Sequence, residues 1–286
     1  MQKSRRGERQ FQRHPLPFRY PGGKYYALHI LRPFWLNVEH DEYREPLVGG
    51  GSVFFNKRQS RYNWLNDIDK ELMTTYQVMN NDELRVGLIR LVTNEIASRE
   101  RWKEIHGFAA KTELEVAFKY YYLNRTSFSG KMVSSAWGYR PKRSLPPQRW
   151  CERIEAAGEK LKGATLTNVD FEVVIHAPSV GTKTLIYVDP PYFAPPRHKH
   201  YRYSFDARDH VRLADALKTT PHKFFLTYDD VPEVKKLYSW ANIHEARFFY
   251  RVDNSNVRNG SRQIGFELII TNYELPNQSS MLEDIL

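Results

Sequence analysis

Thr184-Leu185-Ile186-Tyr187-Val188-Asp189-Pro190-Pro191-Tyr192 decides the fold of this chain. The stretch 184–188 is a continuous apolar run, the pattern of a strand buried on both faces of a parallel sheet. An acid and two prolines end it. Asp189 therefore stands at the carboxyl end of a buried strand, where open α/β sheets hold their ligands. Strand patterns also occur at residues 43–48, 62–66, 164–169 and 224–228, and a helical one at 210–217. Strands and helices alternate at both ends of the chain, which predicts a doubly wound, mostly parallel, Rossmann-like α/β sheet. Residues 242–251 and 264–272 flank a polar loop rich in Asn, Arg and Gly and predict a C-terminal antiparallel hairpin.

Between the second and third strands the period changes. Leu84, Leu88, Leu91, Val92 and Ile96 recur at helical spacing within 71–119, and 120–150 mixes Pro, Gly and Ser in the manner of loops or a hairpin. The expected organisation is a basic N-terminal arm at 1–17 and a discontinuous α/β domain at 18–72 and 164–275. A mainly helical subdomain is inserted at 73–163, and a tail follows at 276–286.

Hydrophobic residues make up 41% of the 286, enough for a packed core. A net charge of +10 points to a polyanionic partner. Cys151 is the single cysteine, which rules out an intramolecular disulfide and a cysteine-rich metal site; it reads as an ordinary helix residue. No apolar run approaches the ~20 residues that span a bilayer, and the basic N-terminus lacks the apolar core of a signal peptide. The expectation is a cytoplasmic protein with no membrane association.

Two prolines stiffen the turn after the strand and remove two N–H donors. The Asp189 carboxylate and the Pro190 carbonyl are thereby presented as fixed acceptors, with Pro191 and the Tyr192 ring beside them. Such a pair suits an exocyclic amine, whose lone pair is delocalised into its ring. Acceptors on both N–H bonds pull the nitrogen toward tetrahedral geometry and stabilise the positive charge that grows on it. The alternative is a proline-rich turn with an N-capping aspartate.

Glu45-Pro46-Leu47-Val48-Gly49-Gly50-Gly51-Ser52 is a second strand-to-turn junction. A dinucleotide fingerprint would want Gly where Phe54 stands, and a phosphate-cradling loop would want Gly-Lys-Ser/Thr. A glycine turn without phosphate features suits a phosphate-free nucleoside cofactor such as S-adenosylmethionine; a purely structural turn is the rival. Asp67, before Ile68, ends the next strand, either to take ribose hydroxyls or to cap a helix. Asp170-Phe171 follows the third strand, for a cofactor adenine or again as a cap. Lys24 lies on the turn Tyr20-Pro21-Gly22-Gly23-Lys24, either solvated or reaching toward the methionine end of the cofactor.

These segments occur in a set order: Arg19-Tyr20-Pro21-Gly22-Gly23-Lys24, the glycine turn, Asn66-Asp67-Ile68-Asp69, Asn168-Val169-Asp170-Phe171 and Asp189-Pro190-Pro191-Tyr192. In that order the chain resembles the Dam-type, alpha-class adenine-N6 DNA methyltransferases over roughly residues 17–272. Leu123-Asn124-Arg125 with Phe128-Ser129-Gly130 resembles the family's segment at the start of its target-recognition part. The resemblance implies that Tyr20, Gly23, Lys24, Glu45, Pro46, Gly49, Gly51, Ser52, Asp67, Ile68, Asp170 and Phe171 bind S-adenosylmethionine. It also implies that Asp189, Pro190, Pro191 and Tyr192 hold a flipped-out adenine; that chemistry needs no metal ion, and His198 and His200 have no evident third ligand for one. Leu47 stands where the family has Phe. Met132-Val133-Ser134-Ser135 replaces its Arg-Tyr-Asn, so the family's frequent GATC specificity does not carry over.

Lys119 to Arg149 holds seven Lys or Arg and no acid, in a chain with 33 acids. Tyr120, Tyr121, Tyr122, Phe128, Trp137 and Tyr139 are interleaved with them. Phosphate neutralisation and base reading are the expected uses, with Arg125, Ser127, Lys131, Arg140, Lys142 and Arg143 as DNA contacts. The acid-free stretch 193–203 adds Arg197, Lys199 and Arg202, with His198 and His200, as a loop that closes over the nucleotide. Expected partners are double-stranded DNA and a cognate restriction endonuclease; the sequence sets no oligomeric state. The rivals are cytosine-N4 or RNA adenine-N6 methylation, and a catalytically silent DNA-binding relative.

Overall fold

The computed structural model describes residues 13–193, 202–250 and 263–275. Strand β1 (Glu42–Glu45) pairs in parallel with β2 (Tyr62–Asn66) on one side and, across a gap of about 140 residues, with β4 (Thr184–Val188) on the other. Outside β2 lies β3 (Thr165–Thr167). Outside β4 lie β5 (Lys223–Asp229) and the hairpin of β6 (Asn242–Tyr250) and β7 (Gln263–Thr271). The order is β3-β2-β1-β4-β5-β7-β6, antiparallel only at the hairpin. The expected doubly wound sheet with its antiparallel C-terminal hairpin is present. Because the chain progresses outward in opposite directions from β1 and from β4, their carboxyl ends flank the topological switch point, where a crevice opens.

Side chains of β4 alternate between two cores, as the period of a strand requires. Leu185 and Tyr187 face one, with Phe225 and Ile269; Ile186 and Val188 face the other, with Phe224, Leu226, Leu268 and Ile270. Each such aliphatic or Phe side chain contributes about 1.5–3 kcal/mol on burial. Helix α1 (Leu28–Leu36) packs in the first core and α2 (Ser52–Asn56) follows the glycine turn.

The helical pattern over 71–119 resolves into four helices: α3 (Lys70–Asn80), α4 (Asp82–Thr93), α5 (Arg99–Gly107) and α6 (Glu113–Thr126). Asp69, Asn81, Ser98 and Thr112 cap their N-termini through side-chain oxygens, Thr112 with Glu115 in a capping box. In place of the loop expected from residue 120, the helix α6 continues to Thr126. Every residue from Tyr120 to Thr126 is buried, so this part of α6 is enclosed on all sides and carries no amphipathic stripe to read. Of the expected hairpin, a single antiparallel bridge joins Ser127 and Trp137. Helix α7 (Trp150–Leu161), which contains Cys151, packs with α3 and α4, and α3 also packs with α6.

Helices α8 (Phe171–His176), α9 (Ala207–Thr219) and α10 (Pro232–Leu237) complete the chain; α9 outruns its expected span because Asp206 and Asp209 form a capping box ahead of it. The basic arm falls mostly outside the described residues, as does the tail 276–286. Of the arm's last residues, His14 donates its backbone N–H to Asn56 Oδ1 (2.7 Å). Among the described residues no helix is long and apolar enough to cross a membrane.

Candidate active site

At the carboxyl end of β1 the backbone turns through Gly49 (φ 46°) and Gly51 (φ 63°), both left-handed. A Cβ on Gly49 would lie 2.9 Å from the Tyr20 ring, so glycine also lets Tyr20 lie on the turn. Asp67, arriving from β2, pins the turn: its Oδ2 accepts the Gly49 N–H (2.9 Å) and its Oδ1 accepts the Asp69 N–H (3.0 Å). Burial raises the Asp67 carboxyl to about 6 despite these donors. Glu45 is also buried; its Oε1 accepts the Tyr43 hydroxyl (2.6 Å) and the Phe54 N–H (2.8 Å). Burial pushes Glu45 up to about 8, which holds it protonated at neutral pH.

Tyr20, Gly23, Glu45, Gly49, Gly51, Ser52, Asp67 and Ile68 line one cleft, and Asp189 and Pro191 face it from β4. Asp170 and Phe171 do not line it. They border an adjoining slot, and Leu47, Ile68, Tyr203 and Phe205 are common to both spaces. Asp170 caps α8, accepting the Glu172 N–H (3.0 Å), and pairs with Arg212 (3.0 Å). Pro46 lies behind the turn, its carbonyl accepting from Asn66 Nδ2 (2.9 Å).

Lys24 is buried rather than solvated. Its Nζ donates to Asp189 Oδ1 (2.6 Å) and to the Gly22 carbonyl (3.1 Å), 3.8 Å from Glu267 Oε2 and 5.1 Å from the Tyr192 ring centre. Burial alone would discharge this lysine; the Asp189 and Glu267 carboxylates outweigh it and hold Lys24 well above the ordinary lysine value. Thr227, on β5, donates to the same Asp189 oxygen (2.8 Å). Oδ1 is thus doubly held, and Oδ2 takes no hydrogen bond among the described residues. With 22% of its side chain exposed, Asp189 is fixed but reachable. Tyr192 donates its hydroxyl to Glu267 Oε1, and Asp229 Oδ1 accepts the Phe193 N–H (3.0 Å), which anchors the loop beyond Pro190 and Pro191.

Sequence reasoning missed Thr227, Asp229 and Glu267. Glu267 alone left a trace, as the one acid inside the apolar run of residues 264–270. Asp69, which also caps α3, pairs with Arg202 (3.1 Å), placing that arginine at the rim of the cleft.

The basic stretch divides in two. Arg125 is 9% exposed and Ser127 fully buried, its hydroxyl accepting from Trp102 Nε1 (3.0 Å); Tyr120, Tyr121 and Tyr122 belong to the core. These are not surface groups as expected. Arg140, Lys142 and Arg143 are exposed and Lys131 half-buried, and none of the four makes an ion pair among the described residues. Arg197 and Lys199 lie outside the described residues, as do His198 and His200.

A family model for D12 class N6 adenine-specific DNA methyltransferases matches residues 20–251. The type II methyltransferase M.CviBI of Paramecium bursaria Chlorella virus NC1A is 25% identical over 238 residues, 80% of this chain and 88% of its own. The type II methyltransferase M.MjaIII of Methanocaldococcus jannaschii is 26% identical over 265 residues, 81% of this chain and 88% of its own. A DNA N-6-adenine-methyltransferase of Escherichia phage P1 is 25% identical over 253 residues, 82% of this chain and 32% of its own.

Proposed function

The chain belongs to the D12 class of N6 adenine-specific DNA methyltransferases, and from that premise we propose that it flips the target adenine from duplex DNA and methylates it with S-adenosylmethionine in the cleft between β1 and β4. The observation that carries the reading is the meeting of the Gly49–Gly51 turn with an Asp189 whose Oδ1 is held and whose Oδ2 is spare.

The residues present suit that cofactor. Asp67 is an acceptor for ribose hydroxyls at the end of β2. The slot of Leu47, Ile68, Phe171 and Phe205 offers apolar surface for a purine, and the buried Glu45 carboxyl complements an α-ammonium. Arg202, the cation at the rim among the described residues, is already paired with Asp69 and Glu71. The chemistry the cofactor supplies when bound is an electrophilic methyl on a sulfonium, whose transfer leaves a neutral thioether and one surplus proton on N6.

The chain's own groups do the rest. Asp189 Oδ2 and the Pro190 carbonyl accept the two N6–H bonds, which localises the lone pair on nitrogen and stabilises its developing charge. Tyr192 stacks on the base. The surplus proton passes to Asp189 and from there to water through the open cleft. Because the amine lies inside the duplex, extrusion costs about a few kcal/mol, repaid by stacking and by these bonds. The inserted helices with the 131–143 surface read the DNA, and the protein partner we propose is a restriction endonuclease that cuts the same site.

Tritiated methyl transfer to whole-genome-amplified DNA, followed by digestion to nucleosides and mass spectrometry, tests the reading: label should appear as N6-methyladenine. Label on cytosine N4, or on RNA alone, would overturn it.

Two further outcomes are expected. With its carboxyl at about 8, Glu45 is protonated at pH 7 before the cofactor binds, and an ammonium beside it stabilises the charged form. Cofactor binding at pH 7 should therefore release close to one proton, read by calorimetry in buffers of different ionisation enthalpy; Glu45→Gln should abolish the release. Removing Arg140, Lys142 and Arg143 together should lower the slope of log affinity against log salt by about 0.9 per lost phosphate contact. An unchanged slope in DNA-binding titrations would move the interface elsewhere.

A further inference from the structure

We propose that Glu267, on the β6–β7 hairpin, is a positioning residue for methyl transfer: it holds Tyr192 from behind and shares Lys24 with Asp189, so its charge state sets how strongly Asp189 grips the target amine. The inference rests on the roles given above to Asp189 and Tyr192.

Glu267 is 1% exposed and sits among Leu268, Ile269 and Ile270 in a strand that packs into both cores. Register places it opposite Asp229 on β5, at the ligand edge of the sheet. Oε1 accepts the Tyr192 hydroxyl, while Oε2 is buried without a hydrogen-bond partner, 3.8 Å from Lys24 Nζ. A carboxylate oxygen in that position is costly. An apolar residue would fill the strand without the cost, so packing alone does not account for an acid here.

Its charged surroundings are few. The Gly23–Lys24 turn brings Lys24, and the loop after β4 brings Asp189 and Tyr192. Strand β5 brings Asp229, and β6 places Ala246 directly opposite. On β6 the flanking charges are engaged elsewhere, Glu245 with Lys235 and Arg247 over the Phe266 ring. Lys24 is thus the only cation facing Glu267 among the described residues. When Glu267 is protonated, Lys24 is directed wholly to Asp189 and drains its acceptor strength. Once Glu267 ionises, one cation serves two carboxylates, and more negative charge remains on Asp189 for the N6–H bond. Burial pushes the Glu267 carboxyl up to about 7, with Lys24 opposing, so the switch falls in the neutral range. Higher pH favours the ionised, faster form.

The test is kcat against pH with tritiated cofactor and whole-genome-amplified DNA, for the wild type, Glu267→Gln, Glu267→Ala and Tyr192→Phe. The wild type should show a rising limb through about 7. Glu267→Gln preserves shape and an acceptor for Tyr192, so it should fold and keep its KM for cofactor. Its limb should vanish and its plateau fall roughly tenfold, less than the loss of a group touching the reacting atoms. Glu267→Ala should fall further, to roughly 10²-fold, because Tyr192 loses the hydrogen bond to Oε1 as well. Tyr192→Phe should keep the limb. A limb that persists in Glu267→Gln overturns the inference, and so does a raised KM for cofactor with kcat unchanged. Neither result touches the assignment of Asp189, which Asp189→Ala judges separately.

Discussion

Asp189→Ala is expected to lose methyl transfer by roughly 10³-fold, the scale seen when an enzyme loses one group that stabilises charge at the reacting centre, while S-adenosylmethionine still binds. Lys24 and Thr227 occupy Oδ1, so Asp189 is held rigidly with one oxygen spare at the cleft. The nucleophile is an amine that needs an acceptor more than it needs a base. Cofactor affinity should persist because Glu45, the glycine turn and Asp67 lie on β1 and β2, not on β4.

The substitution also strips Lys24 of its nearest carboxylate. Breaking a buried pair costs about 3–5 kcal/mol, less here because Asp189 is partly exposed and Glu267 remains within reach. Asp189→Asn, which keeps the shape, separates the two effects. Thermal melting should fall less than for alanine, with transfer still lost. Residual tritium incorporation within tenfold of the wild type, in either variant at saturating cofactor, would refute the role.

Lys24→Met is expected to cost roughly 10²-fold in kcat, with cofactor affinity by calorimetry within a few-fold of the wild type. The sequence alone offered Lys24 to the methionine end of the cofactor. In the fold its Nζ spans from the Gly22 carbonyl to Asp189, which makes it the clamp that orients the carboxylate. Methionine fills the same volume without the charge. Asp189 and Glu267 are then left without their shared cation, and Asp189 loses the group that fixes its Oδ1. The rising limb of the pH profile should flatten, since without Lys24 the ionisation of Glu267 has no shared cation to draw away from Asp189. Should affinity for the cofactor collapse while kcat holds, Lys24 would belong to the cofactor after all.

The site was legible wherever its chemistry was local. Asp189-Pro190-Pro191-Tyr192 and the Gly49–Gly51 turn each announce a strand end followed by something other than a plain loop. The proposed DNA-facing stretch was less legible because composition does not say which side of a helix is wet. The acid-free stretch contains both exposed Arg140, Lys142 and Arg143 and buried Arg125, Ser127 and Tyr120–Tyr122. Helix α6 is enclosed on all sides as it ends, so its aromatic run served the core.

Sequence by itself determined the alternating α/β pattern, the antiparallel C-terminal hairpin and the motifs on which the proposed site is built, because strand period, proline stiffness and glycine turns act over a few residues. Only the tertiary structure decided that Asp189 meets Lys24 across 165 positions and that Thr227 and Glu267 stand behind them. Those contacts depend on which strands lie side by side. Strand order is set by the packing of whole layers, and a one-dimensional pattern carries no record of it.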